Sequence, residues 1–257
     1  MPSTAPAFAD SRSGPREEAN ADREPWIYLG IGALTAPIFA LTPLLGYMGW
    51  FLASLVHEMG HAGFAWLCGM PAFPVISLAG HAAAVHEEQQ VGLAWMIAAA
   101  LCVGAWRVLN GAFRIGVLVA IAVIYPLIAF TEAREVLHLV AGHAGELAFA
   151  TLALWKTLDG GFTRSSAERA LYSTVGWFLL GKNVILCWSL MQSESARIEY
   201  MGSGSFGFTN DYLRLAEDLL GWRLESVALM MLLVSLTVIP LALTAWRVST
   251  RARSAEF

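Results

Sequence analysis

The sequence predicts an all-α, polytopic integral membrane helix bundle of about six to seven spans, with a short re-entrant hairpin after the second. Of 257 residues, 57% are hydrophobic and only 14% charged, against roughly 25% charged in an average soluble domain. Mean hydropathy is +0.57, and apolar runs of about 20 residues, the length that crosses a bilayer, recur along the chain. Pro71 and Pro74 then stop the helix, and FPVISLAG carries β-branched residues before a Gly, which suits a strand better than a helix.

Residues 1–25 mix Ala, Pro and Ser with charges of both signs and have no apolar core. They read as a disordered tail, not a signal peptide. The membrane domain follows at 26–247, with candidate spans near 26–47, 49–69, 91–106, 115–131, 135–157, 171–191 and 225–246. Pro37, Pro43 and Gly46 end the first span and leave a tight turn before the second. Residues 192–224 are polar and acidic and form an extramembrane loop, whose second half, DYLRLAEDLLGWRL, has the apolar spacing of an interfacial helix. Residues 248–257 are a C-terminal tail. Arg107 and Arg114, then Lys156, Arg164 and Arg169, then Arg247, Arg251 and Arg253 fall on one side of a seven-span arrangement. The positive-inside rule makes that side, and the C-terminus, cytoplasmic.

A net charge of −4 and a pI near 5.9 leave no basic footprint for nucleic acid. Cys68, Cys102 and Cys187 all sit in apolar runs without a C-x-x-C pair and read as core residues. Trp26, Trp106, Trp222 and Trp246, near span ends, read as interface anchors.

The second span carries the chemistry. In FLASLVHEMGHAGFAWLCG, residues 51–69, three ionisable side chains lie in an apolar segment, where each costs free energy. Residues four apart on a helix share a face, so His57 and His61 can bind one metal ion, with Glu58 beside them within reach of a metal-bound water. Neutral imidazoles suit Zn²⁺ at roughly 2.0–2.1 Å, and an open fourth position lowers the pKa of bound water toward about 7. Glu58 is the candidate catalytic base that takes the water's proton and passes it to the leaving amine. Gly60 and Gly63 thin the helix so that another backbone can approach.

A third ligand has to come from another span. In EVLHLVAGHAGELAF, Glu135, His138, Gly142, His143 and Glu146 fall within an arc of about 140°, a polar stripe that should face the bundle interior. His143 and Glu146, deep in the run, are the slightly preferred candidates. Glu135 and His138 read as a solvated helix start, and His81 and His86 as part of a polar loop near the site's mouth. Lys182 and Asn183 should pair with an acidic group of the bundle or line a water path.

The rival third ligand is Asp159 in LDGG. HEMGH in an apolar span, the hairpin region SLAGHA and the downstream LDGG together resemble the site-2 protease family of intramembrane zinc metalloproteases. That resemblance covers about residues 45–165. It implies His57, His61 and Asp159 as zinc ligands and Glu58 as the base. The family's usual Asn and Pro before L-D-G are absent, and Thr151 stands about where the Asn would be.

The expected function is a zinc-dependent endopeptidase that hydrolyses a peptide bond of a membrane-embedded or juxtamembrane protein. A second reading is a membrane metal- or haem-handling protein that uses the same His/Glu cluster without proteolysis. A third is an inactive scaffold, which gives no physical reason to keep Glu58 in lipid.

Overall fold

A glycine pair sets the geometry on which the rest of the bundle is built. In the computed structural model, Gly60 of the HEMGH helix meets Gly145 of the GHAGE helix. A methyl on Gly60 would lie 2.2 Å from the Ala141 carbonyl oxygen, and one on Gly145 would lie 2.8 Å from Gly60 Cα. Only glycine permits that backbone contact, the kind of close approach by which membrane helices associate. Gly63, by contrast, has open space where its side chain would be.

The structure describes residues 15–77, 82–161, 163–202 and 210–254, with side chains from residue 24 to 253. The order is α1 (Pro15–Leu41), α2 (Pro43–Leu67), β1 (Ala72–Ile76), β2 (Ala82–His86), α3 (Val91–Val108), α4 (Gly111–Ala129), α5 (Ala133–Asp159) and α6 (Ser166–Gln192). Next come α7 (Glu194–Gly202), α8 (Asp211–Arg214) running on into a π-helical segment (Leu215–Leu220), α9 (Leu224–Leu236) and α10 (Val238–Ser254). Helix α1 reaches back to Pro15, into the stretch whose composition reads as a tail. Residues 1–14 lie outside the described part.

Six helical segments among the described residues are long and apolar enough to cross a membrane: Glu24–Leu41, α3, α4, α5, α6, and Leu224–Arg253, which joins α9 and α10. The chain is a multi-pass membrane protein of helical class. Helix α2 is not one of the six. Its apolar residues are diluted by His57, Glu58, His61 and four glycines, and it buries Ala53, Val56, Glu58 and His61 against its neighbours. A single extended residue, Thr42 (φ −87°, ψ 130°), separates α1 from α2.

The expected hairpin is present. Strands β1 and β2 pair antiparallel from Ala72 opposite His86 to Ile76 opposite Ala82. Pro74 is tolerated because each strand has a free edge. Trp66 Nε1 donates to the Ala72 carbonyl at 2.8 Å, which fastens the hairpin to the end of α2. Gln89 Nε2 donates to the carbonyls of Cys68 and Ala129, and Arg134 donates to Gln89 Oε1, so one side chain joins the ends of α2, α4 and α5.

Three apolar clusters pack the bundle. Leu139, Cys187, Leu190, Tyr212, Leu215, Val227 and Met231 join α5, α6, α8 and α9. Ala53, Leu147, Leu154, Leu179 and Val238 join α2, α5, α6 and α10. Ala62, Ala65, Cys68, Met70 and Ala129 close the far end of α2 on the hairpin and α4. Along α2, residues 56–61 fall between the last two clusters, so the motif lies at a gap in the apolar packing.

The segment after α7 departs from expectation. DYLRLAEDLL does not lie out as an interfacial helix: Tyr212, Leu215 and Ala216 are buried in the first cluster. Its apolar spacing is the same for a lipid surface and for a groove between helices, so periodicity alone does not separate the two.

Asp159 is at the other end of α5. Its carboxylate accepts from Arg253 at 2.6 and 3.0 Å and from Ser249 Oγ at 2.6 Å. Beside it Arg169 Nε donates to the Thr157 carbonyl, and Arg169 pairs with Glu24 at 3.3 Å. The ends of α5, α6 and α10 and the Glu24 position of α1 are thus tied by one set of charges.

Candidate metal centre

On α2, His57 and His61 stand one turn apart with Nε2 atoms 3.1 Å from each other. The third corner is Asp211, the first residue of α8, whose Oδ2 lies 2.9 Å from His57 Nε2 and 3.0 Å from His61 Nε2. Three donor atoms held at 2.0–2.1 Å by a tetrahedral zinc ion would stand about 3.3 Å apart. The triangle is therefore close to the size such an ion requires. The three residues form a group whose ligand atoms all converge.

The groups behind the histidines aim these atoms. His61 Nδ1 lies 2.7 Å from the His138 carbonyl. A carbonyl only accepts, so Nδ1 carries the ring proton and Nε2 presents a lone pair. His57 Nδ1 faces Glu146 Oε1 at 3.6 Å, the carboxylate–histidine arrangement that orients metal ligands and raises their basicity. Glu146 is fully buried. Lys182 Nζ donates to its Oε1 at 3.0 Å and Asn183 Nδ2 to its Oε2 at 2.5 Å. His143 Nδ1 donates to Asn183 Oδ1 at 2.9 Å. The expected pairing of Lys182 and Asn183 with an acidic group is this one.

Asp211 is fixed by its neighbour in the chain. Tyr212 is buried, its ring 4.3 Å from that of His143 and its hydroxyl 3.7 Å from Cys187 Sγ. Asp211 Oδ2 faces both imidazole nitrogens, and a carboxylate oxygen is one of the donor types zinc takes beside imidazole nitrogen.

The sequence-predicted ligands divide accordingly. His57 and His61 are brought together. His143 and Glu146 lie on the far side of His57 and form with it a second group whose ligand atoms lie within 4.8 Å of one another; there Lys182 and Asn183 donate to the Glu146 oxygens. Asp159, sixteen residues beyond His143, is about 24 Å further along the helix and is engaged by Arg253. This corrects the LDGG reading: the aspartate beside the histidines is Asp211.

No motif spacing marks Asp211, which lies 150 residues beyond His61. The available signal was weak: an acidic residue opening a segment whose apolar residues, Tyr212 and Leu215, needed a place to pack.

Glu58 is 8% exposed. It accepts the backbone N–H of Ala84 on β2 and borders a cavity of about 580 Å³ together with His57, His61, Asp211, His138 and the alanines of β2. His138 and Glu135, read as a solvated helix start, line this cavity as well. His86 is exposed on β2, with its ring 5.3 Å from that of His138. His81 lies outside the described residues.

Gly142 closes the floor. A methyl there would sit 2.4 Å from His61 Nε2 and 2.5 Å from His57 Nε2, on the donor triangle itself. Gly142→Ala is therefore expected to weaken zinc binding about 100-fold or more, beyond the usual effect of a supporting residue. Gly63→Ala, with nothing within 4 Å, should leave it unchanged. Competition against a chromophoric chelator measures both.

Comparison of the chain with family models, curated proteins and solved structures gives no match.

Proposed function

We propose that this protein is a membrane-embedded zinc-dependent endopeptidase, with His57, His61 and Asp211 as metal ligands and Glu58 as the catalytic base. The observation that carries this reading is the convergence of the three donor atoms to 2.9–3.1 Å beside a carboxylate that is not one of them. When bound, a zinc ion there would polarise the scissile carbonyl and acidify a water. Glu58, in the same cavity, accepts the water's proton and delivers it to the departing amine. Glu146 and the His138 carbonyl hold the two imidazoles in the orientation that binding needs. The substrate is a membrane-embedded or juxtamembrane segment that has locally unwound, because a helical peptide bond is shielded by its own hydrogen bonds. The arginine-bearing end with the C-terminus is assigned to the cytoplasm by the positive-inside rule.

The second reading, a membrane metal- or haem-handling protein, draws on the His57–His143–Glu146 group. It predicts more than one metal per chain.

The test uses the full chain in detergent with labelled casein as an unstructured substrate. One zinc per chain is expected, with cleavage that a chelator abolishes and added zinc restores. Zinc-loaded protein that leaves casein and membrane-segment peptides intact overturns the reading.

A further inference from the structure

His138 borders the cavity beside Glu58 and His61, yet neither the donor triangle nor its supports use its ring. Only its backbone carbonyl is engaged, by His61. The ring lies between those of His61 and His86, at 5.0 and 5.3 Å between centroids. Its Nδ1 is buried with no hydrogen-bond partner, and the residue lines the cavity, which leaves Nε2 as the ring nitrogen that can serve it.

A neutral imidazole carries one N–H. With the proton on Nδ1, a donor would be orphaned in the interior. With it on Nε2, only a lone pair is buried unpaired, the lesser loss, since orphaned buried N–H groups are the rarer of the two. The ring therefore presents Nε2–H to whatever fills the cavity.

We propose that His138 is a further catalytic residue: its Nε2–H donates to the scissile carbonyl oxygen of the bound peptide and to the oxyanion that forms there. The assignment rests on the protease reading above. In that reaction the water oxygen bonds to the carbonyl carbon, its proton goes to Glu58, and the C=O π pair moves onto oxygen. When the pair returns, the C–N bond breaks, and the nitrogen takes the proton from Glu58. His138 keeps its own proton throughout and serves the charge that appears only in between. A donor aimed at developing charge acts on the rate of the chemical step more than on substrate binding.

The experiment compares wild type, His138→Phe and His138→Gln in detergent, each zinc-loaded, with labelled casein. The Gln amide places an N–H about where Nε2 lies; Phe keeps the ring's shape without a donor. Expected are zinc content unchanged in both variants, kcat reduced about 10²–10³-fold in His138→Phe with KM within about threefold, and partial recovery of kcat in His138→Gln. A His138→Phe protein with kcat within threefold of wild type overturns the assignment, as does one whose zinc is lost, which would make the residue structural. Wild-type protein that holds zinc but cuts nothing overturns the protease reading and this assignment with it.

Discussion

Glu58→Gln is expected to hold one zinc per chain and to lose peptide cleavage by about 10²–10⁴-fold. The two halves of that result come from separate features. The residue is not a corner of the triangle formed by His57, His61 and Asp211, so the ligand set is intact. The amide oxygen can still accept the Ala84 N–H that the carboxylate accepts, so its place on the cavity wall is kept. What disappears is the basicity, because an amide does not take a proton from water near neutral pH. Casein cleavage with parallel metal analysis reads both quantities, and a Glu58→Gln protein with full activity would remove Glu58 from the mechanism.

Asp211→Ala is expected to lose zinc and Asp159→Ala to keep it. Removing a donor atom 2.9–3.0 Å from both imidazole nitrogens leaves two ligands. Affinity should fall by more than about 100-fold, above the range for a residue that merely orients a ligand. Asp159, bound to Ser249 and Arg253, joins α5 to α10, so its loss should lower the thermal midpoint in detergent without altering metal content. The opposite pattern, zinc retained without Asp211 and lost without Asp159, would restore the LDGG aspartate as ligand. A chromophoric competitor and a melting curve on the same preparations decide between them.

The membrane class was legible because composition and run length report the solvent directly. The hairpin was legible because Pro71 and Pro74 forbid helix where β-branched residues come next. His57, Glu58 and His61 were legible for a local reason: four-residue spacing on a helix is enough to place two donors on one face. The third corner is a long-range fact. Nothing in NDYLR distinguishes a ligand from a helix start, and the apolar residues after Asp211 fit lipid and protein equally well. The polar stripe of α5 correctly marked an inward face, yet His143 and Glu146 lie behind His57, and which side of an imidazole a neighbour occupies is not written in spacing. The LDGG motif misled because Asp159 is the last residue of α5 before Gly160, whose φ of +64° ends the helix; an aspartate and glycines also suit that ordinary role.

The late position of Asp211 in the chain has a consequence for biosynthesis. A chain made from its N-terminus presents His57 and His61 long before the segment that completes the triangle exists. α3 to α7 must be made before Asp211 can fold back between α2 and α5. A nascent chain therefore carries Glu58 and two imidazoles without Asp211, and the donor triangle closes only when nearly the whole protein has been inserted. For the endopeptidase proposed above, this order of the sequence would itself be a safeguard: hydrolysis would become available only after the bundle that confines it is built.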